Sequence, residues 1–213
     1  MDFLPDLATL AKYSLAVVLL NYTPGPDMAM FVGSTIARGR KAGLAAFAGT
    51  NCGILVHTLL VAFGLSALLA ASVMAFTALK IIGVFYLLYL AYGALRHGGQ
   101  FSVDGGEAGA EPLRRLYLKA LGVNVLNPKV ALFFLTFLPQ FVEAADPHAQ
   151  GKFLFLGLWF LVVSVPATLP LILGAEGLAG FLKRKPGVIR LIDYCFAGVM
   201  AAFALKLLLA RAK

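Results

Sequence analysis

The stretch from Asn21 to Val32 reads NYTPGPDMAMFV. It lies within a long apolar segment and breaks it near the middle. Pro24 offers no N–H to the carbonyl of Leu20, and Pro26 offers none to that of Tyr22. Gly25 between them admits turns that strain other residues. Asp27 then sets a carboxylate among apolar neighbours. About a hundred residues later, NVLNPKVALFF from Asn124 to Phe134 repeats the device. There Pro128 frees the carbonyl of Asn124, and Lys129 follows with the opposite charge. Lipid has no partner for a freed backbone group, so such breaks survive only where protein or a wet cavity supplies one. A proline kink in a packed helix is the plain reading of either break alone. Two breaks at matching places in two halves point instead to the binding site of a transporter.

Composition puts both breaks in a membrane. Apolar residues make up 61% of the 213 positions and charged residues 13%, with a mean hydropathy of +0.88. A soluble domain carries about 25% charged residues. The chain therefore reads as an all-α polytopic membrane protein, one transmembrane domain over residues 1–213. The longest polar stretch, His97 to Pro112, leaves no room for a soluble second domain. The N-terminus does not read as a signal peptide. Asp2 and Asp6 stand where such a peptide is positive, and no small-residue cleavage site follows the apolar run. The net charge of +8 is a matter of loop placement and sets topology, not nucleic-acid affinity. Cys52 and Cys195 fall in different apolar segments, have no metal-ligand spacing, and read as small core residues.

A span needs about 20 apolar residues. Six are expected: Leu10 to Ala37, Gly43 to Ala71, Leu79 to Leu95, Leu116 to Phe141, Phe153 to Ala175, and Leu191 to Leu209. The second is expected to end in a turn near Ser72, and its Gly49 and Gly53 form a GxxxG pair that permits close helix packing. Basic residues crowd three alternate loops: Arg38, Arg40 and Lys41; then Arg96, Arg114, Arg115 and Lys119; then Lys183, Arg184, Lys185 and Arg190. The opposite side holds only Lys12, Lys80, Lys152, Arg211 and Lys213. The positive-inside rule puts the three rich loops in the cytoplasm and both termini outside. Six spans divide as three plus three, with spans one and four running in opposite directions. The expectation is an inverted repeat: residues 1–97, a cytoplasmic loop over 98–113, and residues 114–213, with proline-broken helices one and four.

At the breaks, Thr23, Asn124 and Asn127 supply polar side chains at one level. Asn127 before Pro128 is patterned as an N-cap with proline at the first helical position, and Pro26 opens a half-helix the same way. In an inverted repeat the two half-helix N-termini face each other, and their positive dipole ends suit a carboxylate. Asp27 and Lys129 admit three readings: pairing across the pseudo-twofold, receiving a solute's ammonium and carboxylate, or proton coupling by Asp27. His57, the lone histidine within a span, is either a proton relay or a hydrogen-bonded core residue. Asn51 either lines the same cavity or glues helices together. Glu176, Arg190 and Asp193 read as a solvated cluster, Lys206 as a snorkelling side chain, and Phe85, Tyr86, Tyr89 and Tyr92 as packing and interface aromatics rather than a ligand cage.

Three segments resemble the LysE/RhtB family of amino-acid exporters. They are YTPGPD (Tyr22 to Asp27) with the ARGRKAGLAAFAGTNCG that follows, KIIGVFYLLYLAYGALR (Lys80 to Arg96), and GVNVLNPKVALFFLTFLPQFV (Gly122 to Val142). Each motif alone is common; together and in this order they are specific. The resemblance implies a multi-pass exporter of amino acids in the bacterial inner membrane, driven by the proton gradient, with a homodimer on family grounds alone. By motif it carries over Pro24, Gly25, Pro26, Asp27, Asn127, Pro128 and Lys129. Nothing is carried over from Phe153 onward.

Other classes fit less well. A divalent-cation exporter, the main alternative, wants several carboxylates together, whereas Asp27 stands alone beside a lysine. An enzyme wants a nucleophile with its base, or a metal motif such as HExxH, and none is present. ATP drive wants a phosphate-binding loop, also missing. No cofactor and no nucleic acid are expected; the partners are the lipid bilayer and a small neutral solute of the homoserine, threonine or leucine type.

Overall fold

The computed structural model describes residues 4–23, 25–65, 73–97, 111–142, 146–175 and 186–209. The expectations for Pro24, the turn near Ser72, most of the His97 to Pro112 loop, Glu176, Lys183 to Lys185, Arg211 and Lys213 lie outside these residues. So do those for the side chains of Lys80, Tyr86, Asp193 and Lys206. The described chain is helical throughout, with no strand among its residues. Helices α1 (Leu7–Tyr22) and α2 (Pro26–Arg38) flank the first break. Helix α3 (Arg40–Leu59) runs on as a π-helical turn to Leu65. Helix α4 is Val73–His97 and α5 is Leu113–Val125. Helix α6 starts at Pro128 after the second break, loosens into a π-helical turn over Phe133–Phe137 and ends as a 3-10 turn at Phe141. Helix α7 is Ala149–Leu173 and α8 is Pro186–Leu209.

Local chemistry fixes the ends. Asp6 caps α1 by accepting from the Thr9 N–H at 2.7 Å, and that bond holds its carboxyl below the ordinary carboxylate range. Pro26 and Pro128 each take the first helical position, where a missing N–H costs nothing. Gly39, with φ +82, makes the turn from α2 to α3 that a side chain would strain. In the turn before α7, Asp146 accepts from the Lys152 ammonium and from the His148 N–H at 2.8 Å. The Lys152 hydrogen bond leads in lowering its carboxyl's pKa.

Arg40–Gly64 and Ala149–Leu173 are each long and apolar enough to cross a membrane. The pair α1 and α2, bent by 56°, and the pair α5 with α6, bent by 48°, suffice if each is one broken span. A multi-pass membrane protein follows, with two to four spans counted this way among the described residues. Large apolar side chains lie bare on the outside, among them Phe63, Phe85, Tyr89 and Leu191. The exposed aromatics of α4 thus face outward; Tyr92 accepts from Arg96, whose guanidinium lies 5.6 Å from the same ring's centre.

Small residues set the packing. A Cβ on Gly49 would run into the carbonyl of Tyr117, and one on Gly53 into the side chain of Asn124. The GxxxG face of α3 therefore lies directly on α5. Gly157 of α7 seats in the same way against Thr58 of α3. Two buried clusters result. One gathers Tyr13, Phe133, Phe137, Phe153 and Phe160, with the Phe133 and Phe137 rings 4.6 Å apart. The other gathers Met28, Phe31, Phe47, Leu116 and Ile172.

Candidate functional site

The prolines leave carbonyls without helical partners, and side chains from distant segments take them. The ammonium of Lys129 donates to the carbonyl of Leu20 at 3.1 Å and to that of Thr23 at 2.9 Å. The first of these is the group Pro24 has no N–H to satisfy. At the second break, Nε2 of His57 lies 3.1 Å from the carbonyl of Asn124, the group Pro128 leaves open. A carbonyl only accepts, so Nε2 is the donor in this contact. The N–H of Asn127 closes a tight turn onto the same oxygen at 3.0 Å. His57 is buried and packs against Phe134, 5.8 Å between ring centres.

Asp27 completes a reciprocal exchange. Its Oδ2 accepts from the amides of Asn124 and Asn127, both at 2.9 Å. Asn127 also caps α6, its Oδ1 accepting from the Lys129 N–H at 3.0 Å. The first break's carboxylate is therefore held by the second break's amides, and the second break's ammonium by the first break's carbonyls. Asp27 and Lys129 form no direct ion pair among the described residues. The N-termini of α2 and α6 do adjoin, and the carboxylate lying between them is Asp27's own.

Gly25 needs a correction of cause. Its backbone is extended, φ −177, which any residue adopts. What a side chain would meet there is Lys129: a Cβ would stand 3.2 Å from its ammonium, a tight contact with a group held by two hydrogen bonds.

A cavity lies where the breaks meet, walled by residues of both apolar clusters. Its empty space, open mouth included, is about 440 Å³. The part open to the centre of a water molecule is about 30 Å³, room for roughly two waters. Four polar atoms on its lining residues are buried with no partner: Asp27 Oδ1, Thr50 Oγ1, Asn51 Oδ1 and Asn124 Oδ1. Three of these only accept, and the fourth is a hydroxyl.

Of the residues singled out in the sequence, Thr23, Asp27, Asn51, Asn124 and Lys129 line this cavity. Asn127 and His57 stand behind it as partners of Asp27 and Asn124. Pro26 and Pro128 are exposed and act by starting helices. Asn21, Thr50 and Ser164 also line the cavity and were not foreseen. Ser164 donates to Asn21 Oδ1 at 3.0 Å and so joins α7 to α1. Tyr22 adds a second tie, its hydroxyl donating to the carbonyl of Ala167 at 3.0 Å.

Bent apolar helices around an interlocked polar centre are the arrangement expected of a membrane transporter's binding site. Comparison with known proteins gives the family: residues 18–211 match the LysE type translocator model. The chain belongs to that family. It is 34% identical over 196 residues to an uncharacterized membrane protein of Pseudomonas aeruginosa, covering 90% of this chain and 89% of the other. It is 30% identical over 171 residues to a homoserine/homoserine lactone efflux protein of Salmonella typhimurium, covering 80% and 82%. It is 28% identical over 196 residues to a leucine efflux protein of Klebsiella pneumoniae, covering 92% of each. No solved structure matches it.

Proposed function

We propose that this chain exports small neutral amino acids or their close derivatives across the bacterial inner membrane, by alternating access and at the expense of the proton gradient. One observation carries the reading: a carboxylate oxygen with no partner, Asp27 Oδ1, shares a cavity with an ammonium that has one donor to spare. Lys129 has three N–H donors and gives two to α1. An amino acid offers the complementary pair, an ammonium for Asp27 and a carboxylate for Lys129. Family membership and relatives named for homoserine and leucine efflux support this reading. A divalent cation gains no such support, since no group of three His, Cys, Asp or Glu side chains stands together among the described residues.

In this reading α4 and α8 complete a set of six spans, arranged as two inverted triples with both termini outside. The space at the centre is too small for a solute, so one triple rocks against the other to admit it. Asp27 takes up the proton that resets the site. The test is amino-acid release from peptide-fed cells making the chain, beside Asp27→Ala at equal membrane level. Release of particular amino acids should rise with the wild type and fall at least tenfold in the mutant, roughly the worth of one charged hydrogen bond. Release no greater than in cells lacking the chain, for every amino acid, would sink the reading. Release that survives the mutation would leave export standing and make Asp27 a structural residue.

A further inference from the structure

Two of the four unpartnered atoms, Asp27 Oδ1 and Asn124 Oδ1, are explained by an ammonium with its three N–H donors. The other two, on Thr50 and Asn51, are not. Thr50 is 8% exposed, and its hydroxyl makes no hydrogen bond. In a helix a threonine hydroxyl ordinarily turns back to the carbonyl one turn earlier. Thr35, Thr58 and Thr136 do so here, at 2.7 to 2.8 Å. Thr50 forgoes that bond, as Thr168 of α7 also does, and of the two only Thr50 lines the cavity. Its neighbour Asn51 spends its amide N–H on the carbonyl of Phe47 at 2.7 Å, which leaves Oδ1 as the bare atom. Thr50, Gly53 and His57 recur at helical spacing along the face of α3 that meets Asn124. A buried polar atom without a partner costs free energy, so its persistence on a cavity wall marks a place for a ligand.

We infer that Thr50 and Asn51 form a side-chain subsite, which makes this carrier prefer amino acids whose side chains bear a hydroxyl over aliphatic ones of the same shape. The inference rests on the amino-acid export reading and adds the substrate class to it. Asp27 and Lys129 hold the two charges common to every amino acid. The Thr50 hydroxyl and the Asn51 carbonyl meet what differs between them. A hydroxyl gives Asn51 Oδ1 a donor and gives Thr50 an acceptor. A methyl pairs with neither atom and takes the room of a water that could, and that asymmetry is the source of discrimination.

Threonine and valine are the right probes, since they differ by one hydroxyl for one methyl. Proteoliposomes holding the full chain are loaded with both at equal concentration, a pH gradient is imposed, and efflux is followed. The wild type should release threonine about tenfold faster than valine or better, the worth of one hydrogen bond. Thr50→Val and Asn51→Leu should bring that ratio toward one. Thr50→Ser, which keeps the hydroxyl, should restore it, and a purely structural role for Thr50 would not produce that pattern. Flux of both solutes at a ratio near one in the wild type overturns the subsite and leaves export intact, as does a ratio the variants do not change. No flux of any amino acid overturns export and the subsite with it. For a variant that transports nothing, the rise in melting temperature of the detergent-purified chain on adding each amino acid gives the same comparison. Selective loss of the threonine effect supports the subsite, and equal loss of both overturns it.

Discussion

Lys129 meets two carbonyls that a broken helix leaves open, and this sets what its removal does. Lys129→Met keeps the apolar stem and deletes the donors. The carbonyls of Leu20 and Thr23 are then stranded, and Asp27 loses the nearby positive charge. Each orphaned buried group costs about 1–3 kcal/mol, so a loss of about 2–6 kcal/mol is expected for the two. Denaturant unfolding in mixed micelles measures it. A mutant of unchanged stability that no longer transports would make Lys129 a solute ligand and nothing more. His57 allows a sharper separation. His57→Gln keeps a donor for the Asn124 carbonyl but cannot carry a proton, and His57→Leu does neither. If His57 positions the second break, Gln should retain most of the flux at neutral pH while Leu loses it. Loss in both would favour a proton relay.

Between elements, glycine governs how closely α3 approaches α5. Gly53→Ala drives a methyl into Asn124, the residue that holds Asp27 and receives His57. Overpacking of this kind costs about 1–3 kcal/mol, and here it also displaces the site. Gly33→Ala on α2 and Gly122→Ala on α5 meet nothing within 4 Å, and alanine favours a helix over glycine by up to about 1 kcal/mol. Thermal unfolding with a parallel flux assay should therefore show Gly53→Ala impaired in both and the two controls unharmed or slightly stabilised. Equal behaviour of all three would mean the α3–α5 contact yields without cost. The breaks were legible in the sequence because a missing N–H is a local property: Pro24 and Pro128 announce which carbonyls go free. Where those carbonyls find partners is a property of the tertiary fold. Nothing near Leu20 points to Lys129, and nothing near Asn124 points to His57. Thr50, Asn21 and Ser164 were invisible for a related reason, since single small polar residues are ordinary in apolar helices and only a shared cavity distinguishes them. The extended backbone of Gly25 was likewise beyond reach, as the sequence cannot separate a glycine chosen for torsion from one chosen for space.

At the scale of the whole molecule, the ends of the helices carry the topology. Arg38 at the end of α2 reaches Glu111 at 3.4 Å, and Arg115 in the first turn of α5 reaches the same carboxylate at 3.6 Å. The turn holding Arg40 and Lys41 and the start of α5 therefore lie on one side, in keeping with a shared basic face. From there the count of crossings depends on whether each bent pair passes through the membrane or turns back within it. If the pair α5 and α6 crosses, Arg114 and Gln150 are on opposite sides. If the pair α1 and α2 crosses, so are Leu7 and Lys41. All four positions are exposed, so cysteines placed there are open to reagent. With Cys52 and Cys195 replaced by alanine, each single-cysteine chain is exposed to a membrane-impermeant maleimide on intact spheroplasts and again after lysis. Labelling at 7 and 150 before lysis, and at 41 and 114 only after it, is the result expected for six spans with the basic loops inside. The mirror pattern would keep both crossings and reverse the orientation. Equal labelling of 114 and 150 would make the second break a re-entrant loop. The proposed inverted repeat would then be lost.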